Sequence, residues 1–98
     1  MQFDPVLLSQ ARLGIVSVLL EREGASFSDL KSLLELTQGN LGMHLRKLEE
    51  AGYVAVEKEF VERKPLTTCR LTPKGRKAFL KHVDRLGEIA RRAGESEA

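Results

Sequence analysis

The sequence predicts an α+β domain, mostly helical with one small β-hairpin, and three observations carry that prediction. First, Thr37 to Val54 reads TQGNLGMHLRKLEEAGYV and spaces Leu41, Leu45 and Leu48 at i, i+4 and i+7, a helix with one buried face. Second, another short helical stretch ends at Leu36, leaving almost no linker before it. Third, two strand-like runs follow, Tyr53 to Phe60 and Leu66 to Leu71, separated by the charged turn VERKP.

Taken in order, Asp4-Pro5 reads as the start of the first helix, a side-chain cap followed by proline at the first helical position. Val6 to Leu20 is apolar almost all round, and such a helix must be covered on every face. A domain of 98 residues covers one side, so a second copy is expected on the other. Glu23-Gly24 should end this helix, with glycine in the left-handed position. Ala25-Ser26-Phe27 has room only for a bridging strand. Ser28 is the expected cap of the second helix, with Asp29 in its first turn near the positive dipole end and Leu30, Leu33 and Leu34 turned inward. Thr37 caps the third helix, about residues 37–51, and Ala51-Gly52 closes it. The hairpin takes about 53–71. Thr72-Pro73 repeats the cap-then-proline device and opens a last helix, about 73–93, with one apolar stripe. Residues 1–93 form a single domain, and the tail 94–98, GESEA, is expected to be disordered.

Composition narrows the function. With 42% hydrophobic and 31% charged residues the chain reads as a soluble globular protein, and a net charge of +2 is only mildly basic. The distribution says more: three basic against five acidic side chains in 1–36, six against five in 37–73, and seven against four in 74–98. A basic excess in the second half points weakly to nucleic acid. Cys69 is the only cysteine, which rules out an internal disulfide. Strand alternation turns it inward with Leu71, away from the accessible position a redox thiol beside Arg70 would need. No apolar run approaches the roughly 18–20 residues of a membrane span. The opening MQFDPV has an acid where a signal peptide carries positive charge, so a cytoplasmic location is expected. There is no phosphate loop and no nucleophile elbow, which argues against an enzyme. Cys69, His44 and His82 stand at no familiar ligand spacing, so neither metal nor cofactor is expected.

Two helices joined by a tight turn form a helix-turn-helix, whose second helix can lie in a DNA major groove, and a hairpin directly after it gives the winged form. The runs GNLGMHLRKLEEAGYVAVEKEF and RKPLTTCRLTPKGRKAF resemble the small winged helix-turn-helix transcriptional regulators related to the MarR and ArsR types. DPVLLSQARLGIVSVLL resembles their first helix, with Leu8 where an arginine is common. The resemblance spans about residues 3–85. It implies a homodimer that binds a near-palindromic double-stranded DNA site, more a repressor than an activator. The dimer would be held by the first and last helices, through Phe3, Val6, Leu7, Phe79, Val83, Leu86, Ile89 and Ala90. A small-molecule effector, if there is one, would enter a cleft between those helices; the sequence does not identify it.

With Leu41 turned inward, Gly39, Asn40, Met43, Arg46 and Lys47 fall on the far side of the recognition helix, flanked by Gln38 and His44. Asn40 and Gln38 suit adenine and Lys47 suits guanine, unless this is a plain solvated face. Thr37 caps the helix and is placed to touch phosphate. Met43 either meets a thymine methyl or fills an uncritical position. His44 is a boundary histidine or, facing phosphate, a group whose protonation strengthens binding. Arg46 reaches the DNA backbone or pairs with Glu50. Arg63 and Lys64 at the wing tip suit a minor groove. Each helical glycine costs roughly 1 kcal/mol relative to alanine. Gly39 is read as a bare first turn for close approach to DNA, and Gly42 as a close contact with the second helix. The rival reading is a winged-helix protein-interaction module, favoured by Glu49, Glu50, Glu57, Glu59 and Glu62 around the wing.

Overall fold

The computed structural model describes residues 3–96, and residues 1, 2, 97 and 98 lie outside the described part. The elements run α1 (Gln10–Glu21), β1 (Ala25–Ser26), α2 (Phe27–Leu34), α3 (Gln38–Glu50), β2 (Val54–Val61), β3 (Lys64–Leu71) and α4 (Pro73–Ser96). The sheet is antiparallel, ordered β1-β3-β2.

Local chemistry sets each boundary, and four of them differ from expectation. Asp4-Pro5 builds one isolated turn instead of opening α1: the Val6 amide donates to Asp4 Oδ1 (3.0 Å) and the Leu7 amide to the Asp4 carbonyl (3.1 Å). The cap of α1 is Ser9, whose Oγ accepts from the Arg12 amide (3.2 Å), so Leu8 precedes the helix and Arg12 is the arginine of its first turn. Gly24 is not left-handed, because α1 ends at Arg22 in extended backbone that feeds β1 directly. The cap of α2 is Ser26, not Ser28. Its Oγ accepts from the Asp29 amide (3.0 Å), and pairing of Ser26 with Thr68 fixes it at the strand-to-helix junction. Helix α2 stops at Leu34, two residues early, because Glu35 turns left-handed at φ 52. Thr37 then caps α3 as expected, its Oγ1 accepting from the Asn40 amide (3.1 Å).

Ile15, Val16 and Leu19 of α1, Leu30 of α2 and Leu41, Leu45 and Leu48 of α3 close the core against Val54 and Cys69. Burial, with Glu49 nearby, pushes the Cys69 thiol up to about 11, so it is a packing residue rather than a thiolate. Leu7, expected at a dimer interface, is fully buried in this same core and has no surface to offer a partner. The apolar girdle from Val6 to Leu20 is covered from within everywhere but at Leu8, with Val6, Leu13, Val18 and Leu20 packed on the core as partly buried side chains.

The wing, α3 and α4 meet at one joint. Thr72 Oγ1 donates to the Gly52 carbonyl (2.6 Å) and accepts from the Gly75 amide (3.0 Å), while the Thr72 amide donates to the Tyr53 carbonyl (3.0 Å). Gly75 is buried with its Cα pressed on that carbonyl; a Cβ there would lie 2.2 Å from the Tyr53 oxygen. Gly52, at φ 81, supplies the left-handed residue after α3. Helix α4 continues past the expected end at Ala93 and takes residues 94–96 of the tail into its last turn. Its last buried side chain is His82, and beyond it the helix leaves the body as an arm. The radius of gyration is accordingly 15.6 Å, against about 13 Å for a compact chain of this length.

Gly75→Ala separates propensity from packing. Helix propensity alone would stabilise the variant by roughly 1 kcal/mol. The backbone collision instead predicts a loss of roughly 2 kcal/mol or more, read as a lower urea midpoint.

Candidate nucleic-acid interface

The leucine stripe of α3 is locked inside, so the helix has one orientation and its far side is open. Gln38, Gly39, Asn40, Met43, Arg46 and Lys47 are all exposed, as is the cap Thr37. No atom lies within 4 Å of where a Cβ would stand on Gly39. The same holds for Gly42, which corrects the expectation that it packs on α2: it lines an open groove between α3 and the wing. That groove, about 310 Å³, is lined by Gln38, Gly42 and Arg46 from α3 and by Val56, Lys58 and Thr67 from the wing, with Glu49 at the last turn of α3.

The hairpin alternates strictly. Val54 and Val56 face inward, so Lys58 and Phe60 share the face turned to α3, while Glu57 and Glu59 lie on the opposite face. Glu62 and Arg63 form the two-residue turn, with φ values of 51 and 67. Two successive left-handed residues are the signature of a type I′ turn, which favours Asn-Gly. Arg63 therefore sits at the tip at a conformational cost, exposed beside Lys64.

His44 was expected at a boundary, and it is half-buried. Its Nδ1 receives a hydrogen bond from an Arg12 terminal nitrogen at 3.0 Å, and Arg12 Nε donates to the Val6 carbonyl at 2.5 Å. A guanidinium can only donate, so Nδ1 is the acceptor and the ring proton sits on Nε2. Partial burial, then the Arg12 and Lys47 charges, lower the His44 pKa below 6.5. Residues 12 and 44 are far apart in sequence, and only the fold brings this pair together.

A second cleft, about 280 Å³, lies between the N-terminal turn and the basic flank of α4, with Asp4, Tyr53, Lys74, Lys81 and His82 in its lining. The Tyr53 hydroxyl donates to Asp4 Oδ2. Burial and that bond push the phenol up to about 12. Phe3 meets the edge of the His82 ring at 6.0 Å, and His82 Nδ1 is buried with no partner among the described residues.

A helix-turn-helix with a three-stranded sheet, an open polar face on its second helix and a cationic wing tip defines a winged-helix DNA-binding regulator. The family model for the winged helix DNA-binding domain matches residues 11–90, and the chain belongs to that family. A transcriptional regulator homologue from Pyrococcus horikoshii OT3 superposes with a TM-score of 0.84 at 34% identity, over 90% of this chain and 87% of that one. HlyU from Vibrio cholerae N16961 matches with a TM-score of 0.65 at 30% identity, over 83% of each chain. An uncharacterized protein of Methanocaldococcus jannaschii is 36% identical over 83 residues, 85% of this chain and 90% of that one. The Pyrococcus horikoshii neighbour is a transcriptional regulator homologue, the class of protein that the recognition-helix and wing motifs implied. Among the described residues no helix is long and apolar enough to cross a membrane, and no group of three or more histidine, cysteine or acidic side chains is placed to hold a metal ion.

Two outcomes follow. His44 resists protonation when folded, so its contribution to stability is complete above about 6.5 and declines as pH falls through that value. Urea melts from pH 7.5 to 5.5 should show that decline, and His44→Gln should flatten it. Replacing Glu62-Arg63 with Asn-Gly should raise stability by up to about 1 kcal/mol by removing left-handed strain. The same change should weaken DNA binding, measured by fluorescence anisotropy.

Proposed function

We propose that this protein is a homodimeric transcriptional repressor that reads a near-palindromic duplex site, with α3 in the major groove and the wing tip at the flanking minor groove. The observation that carries the reading is the exposed face of α3. Asn40, Gln38 and Lys47, the residue types that pair with adenine and guanine edges, stand out from a helix whose leucines are fully committed to the core. Arg63 and Lys64 supply the cations a narrow minor groove attracts. Thr37 and Gly39 leave the N-terminal turn of α3 open for a phosphate.

The dimer rests on α4. Val83, Leu86 and Ile89 fall on one broad side of the helix and are 41–47% exposed, apolar surface uncommon on an isolated domain. Ala90 extends it, Phe79 lies at its base against the core, and Val6 and Phe3 are only half-buried nearby in the sequence of the N-terminal turn. Two arms joined along this side would present two recognition helices, and half-sites one helical turn apart are separated by about 34–36 Å. The rival, a docking module without DNA contact, draws less from Glu57 and Glu59, which occupy the wing face turned away from α3, while Glu49 and Glu50 stand on α3 and Glu62 in the wing turn.

Recovery and sequencing of genomic fragments on the purified protein at about 150 mM salt tests the reading. The expected result is a short inverted repeat, lost by an Asn40→Ala, Lys47→Ala double variant, since each base contact contributes about 1–3 kcal/mol. Uniform recovery by both proteins would mean non-specific binding, and no recovery would favour docking. For the dimer, Leu86→Glu should yield a monomer in sedimentation, with loss of the inverted repeat and retention of the fold.

A further inference from the structure

Arg12 joins three segments through one side chain. Its Nε donates to the Val6 carbonyl at 2.5 Å, and a terminal nitrogen donates to His44 Nδ1 at 3.0 Å. Arg12 is half-buried, and the turn it grips is anchored by Leu7, which is fully buried in the core. One guanidinium fork therefore ties α1, the N-terminal turn and α3 together. On α3 the contact lands inside the reading face. Asn40, His44 and Lys47 fall at i, i+4 and i+7, one row of the helix, so the two base-reading side chains stand a turn to either side of the gripped ring.

This contact depends on charge. Neutral His44 offers Nδ1 as an acceptor, whereas the imidazolium has two donors and no acceptor. A proton would also set two cations 3.0 Å apart. Arg12 faces the ring from α1 and Lys47 from the next turn of α3. Glu50 is the one acid of the adjoining cleft, which Arg12 and Lys47 also line. The N-terminal turn carries one charged group, Asp4, and its oxygens are held by the Val6 amide and the Tyr53 hydroxyl.

We infer that Arg12 is a positioning residue for DNA reading and that its bond to His44 is a proton-sensitive latch, closed on the neutral ring and opened by the imidazolium. Closed, it holds the Asn40–Lys47 row against the N-terminal turn; open, it frees that flank of α3. This rests on the DNA-binding reading above and adds a regulation which that reading lacks: the protein loosens its hold on its site as its surroundings acidify. The sign is opposite to that of a histidine that simply faces phosphate, whose protonation strengthens binding.

Fluorescence anisotropy at constant ionic strength, from pH 7.5 to 5.5, reads that sign. The probes are the inverted repeat recovered from genomic fragments and a mixed-sequence duplex of equal length. His44→Asn supplies the reference, because its Oδ1 replaces Nδ1 as an acceptor and does not titrate in this range. Relative to it, wild-type affinity for the repeat should fall several-fold as pH drops, with little change on the mixed sequence. Arg12→Ala should bind the repeat more weakly already at pH 7.5 and should lose that fall. Without DNA, nitrogen NMR shifts at pH 7.5 should show His44 as the Nε2–H tautomer in the wild-type protein and as both tautomers in Arg12→Ala. Wild-type affinity that rises or holds level against His44→Asn, or falls equally on both duplexes, would overturn this inference alone, whether or not Arg12→Ala folds. So would an unchanged tautomer in Arg12→Ala. If no repeat is recovered, it falls together with the reading beneath it.

Discussion

Thr72 ties together the three parts that any DNA contact needs. Its hydroxyl closes on the carbonyl of Gly52 at the end of the recognition helix, and its amide closes on Tyr53 at the root of the wing. The same hydroxyl accepts from Gly75 in the first turn of α4. These bonds lie within a few residues of one another and are partly shielded from water, where each is worth about 1 kcal/mol net and leaving one unmade costs more. Because Gly75 has no side chain, α4 rests directly on backbone, and the angle between α3, wing and arm has no flexible side chain through which to drift. The reading head and its mounting are therefore one rigid unit.

Electrostatics complement that unit by separation rather than by excess. A net charge of +2 would attract DNA feebly if it were spread evenly. Strand alternation sends Glu57 and Glu59 to one face of the wing and Lys58 to the other, so the side turned to α3 carries the lysine without those two acids. The Arg12–His44 contact adds a second constraint. It fastens the exposed flank of α3 to the first turn of α1 and, through Val6, to the N-terminal turn.

The sequence made legible whatever depends on neighbours within one or two turns. The Thr37 cap, the Leu41–Leu45–Leu48 stripe, the Thr72-Pro73 start and the inward Cys69 all follow from local spacing, and the structure has each of them. Where two local readings compete, long-range pairing decides. Ser26 and Ser28 are both plausible caps, and the bridge from β1 to β3 selects Ser26. Asp4-Pro5 satisfies its own bonds in a single turn, which leaves the true start to Ser9. Leu7 looked like interface because it belongs to an apolar run, but that isolated turn folds it into the core. At the candidate site, the outward face of α3 and the wing tip could be read from periodicity. The groove with Lys58, the open side of Gly42 and the Arg12–His44 pair could not, because each depends on segments whose distance the sequence does not encode.

The projecting arm has a mechanical consequence. Helix α4 has 24 residues and is about 36 Å long, and the glycine contact at its base sets its direction. A tilt of about 5° there displaces the far end by about 3 Å, close to the 3.4 Å rise of one base pair. A strain too small to disturb the core is thus magnified by leverage into a mismatch of one step along a helical track.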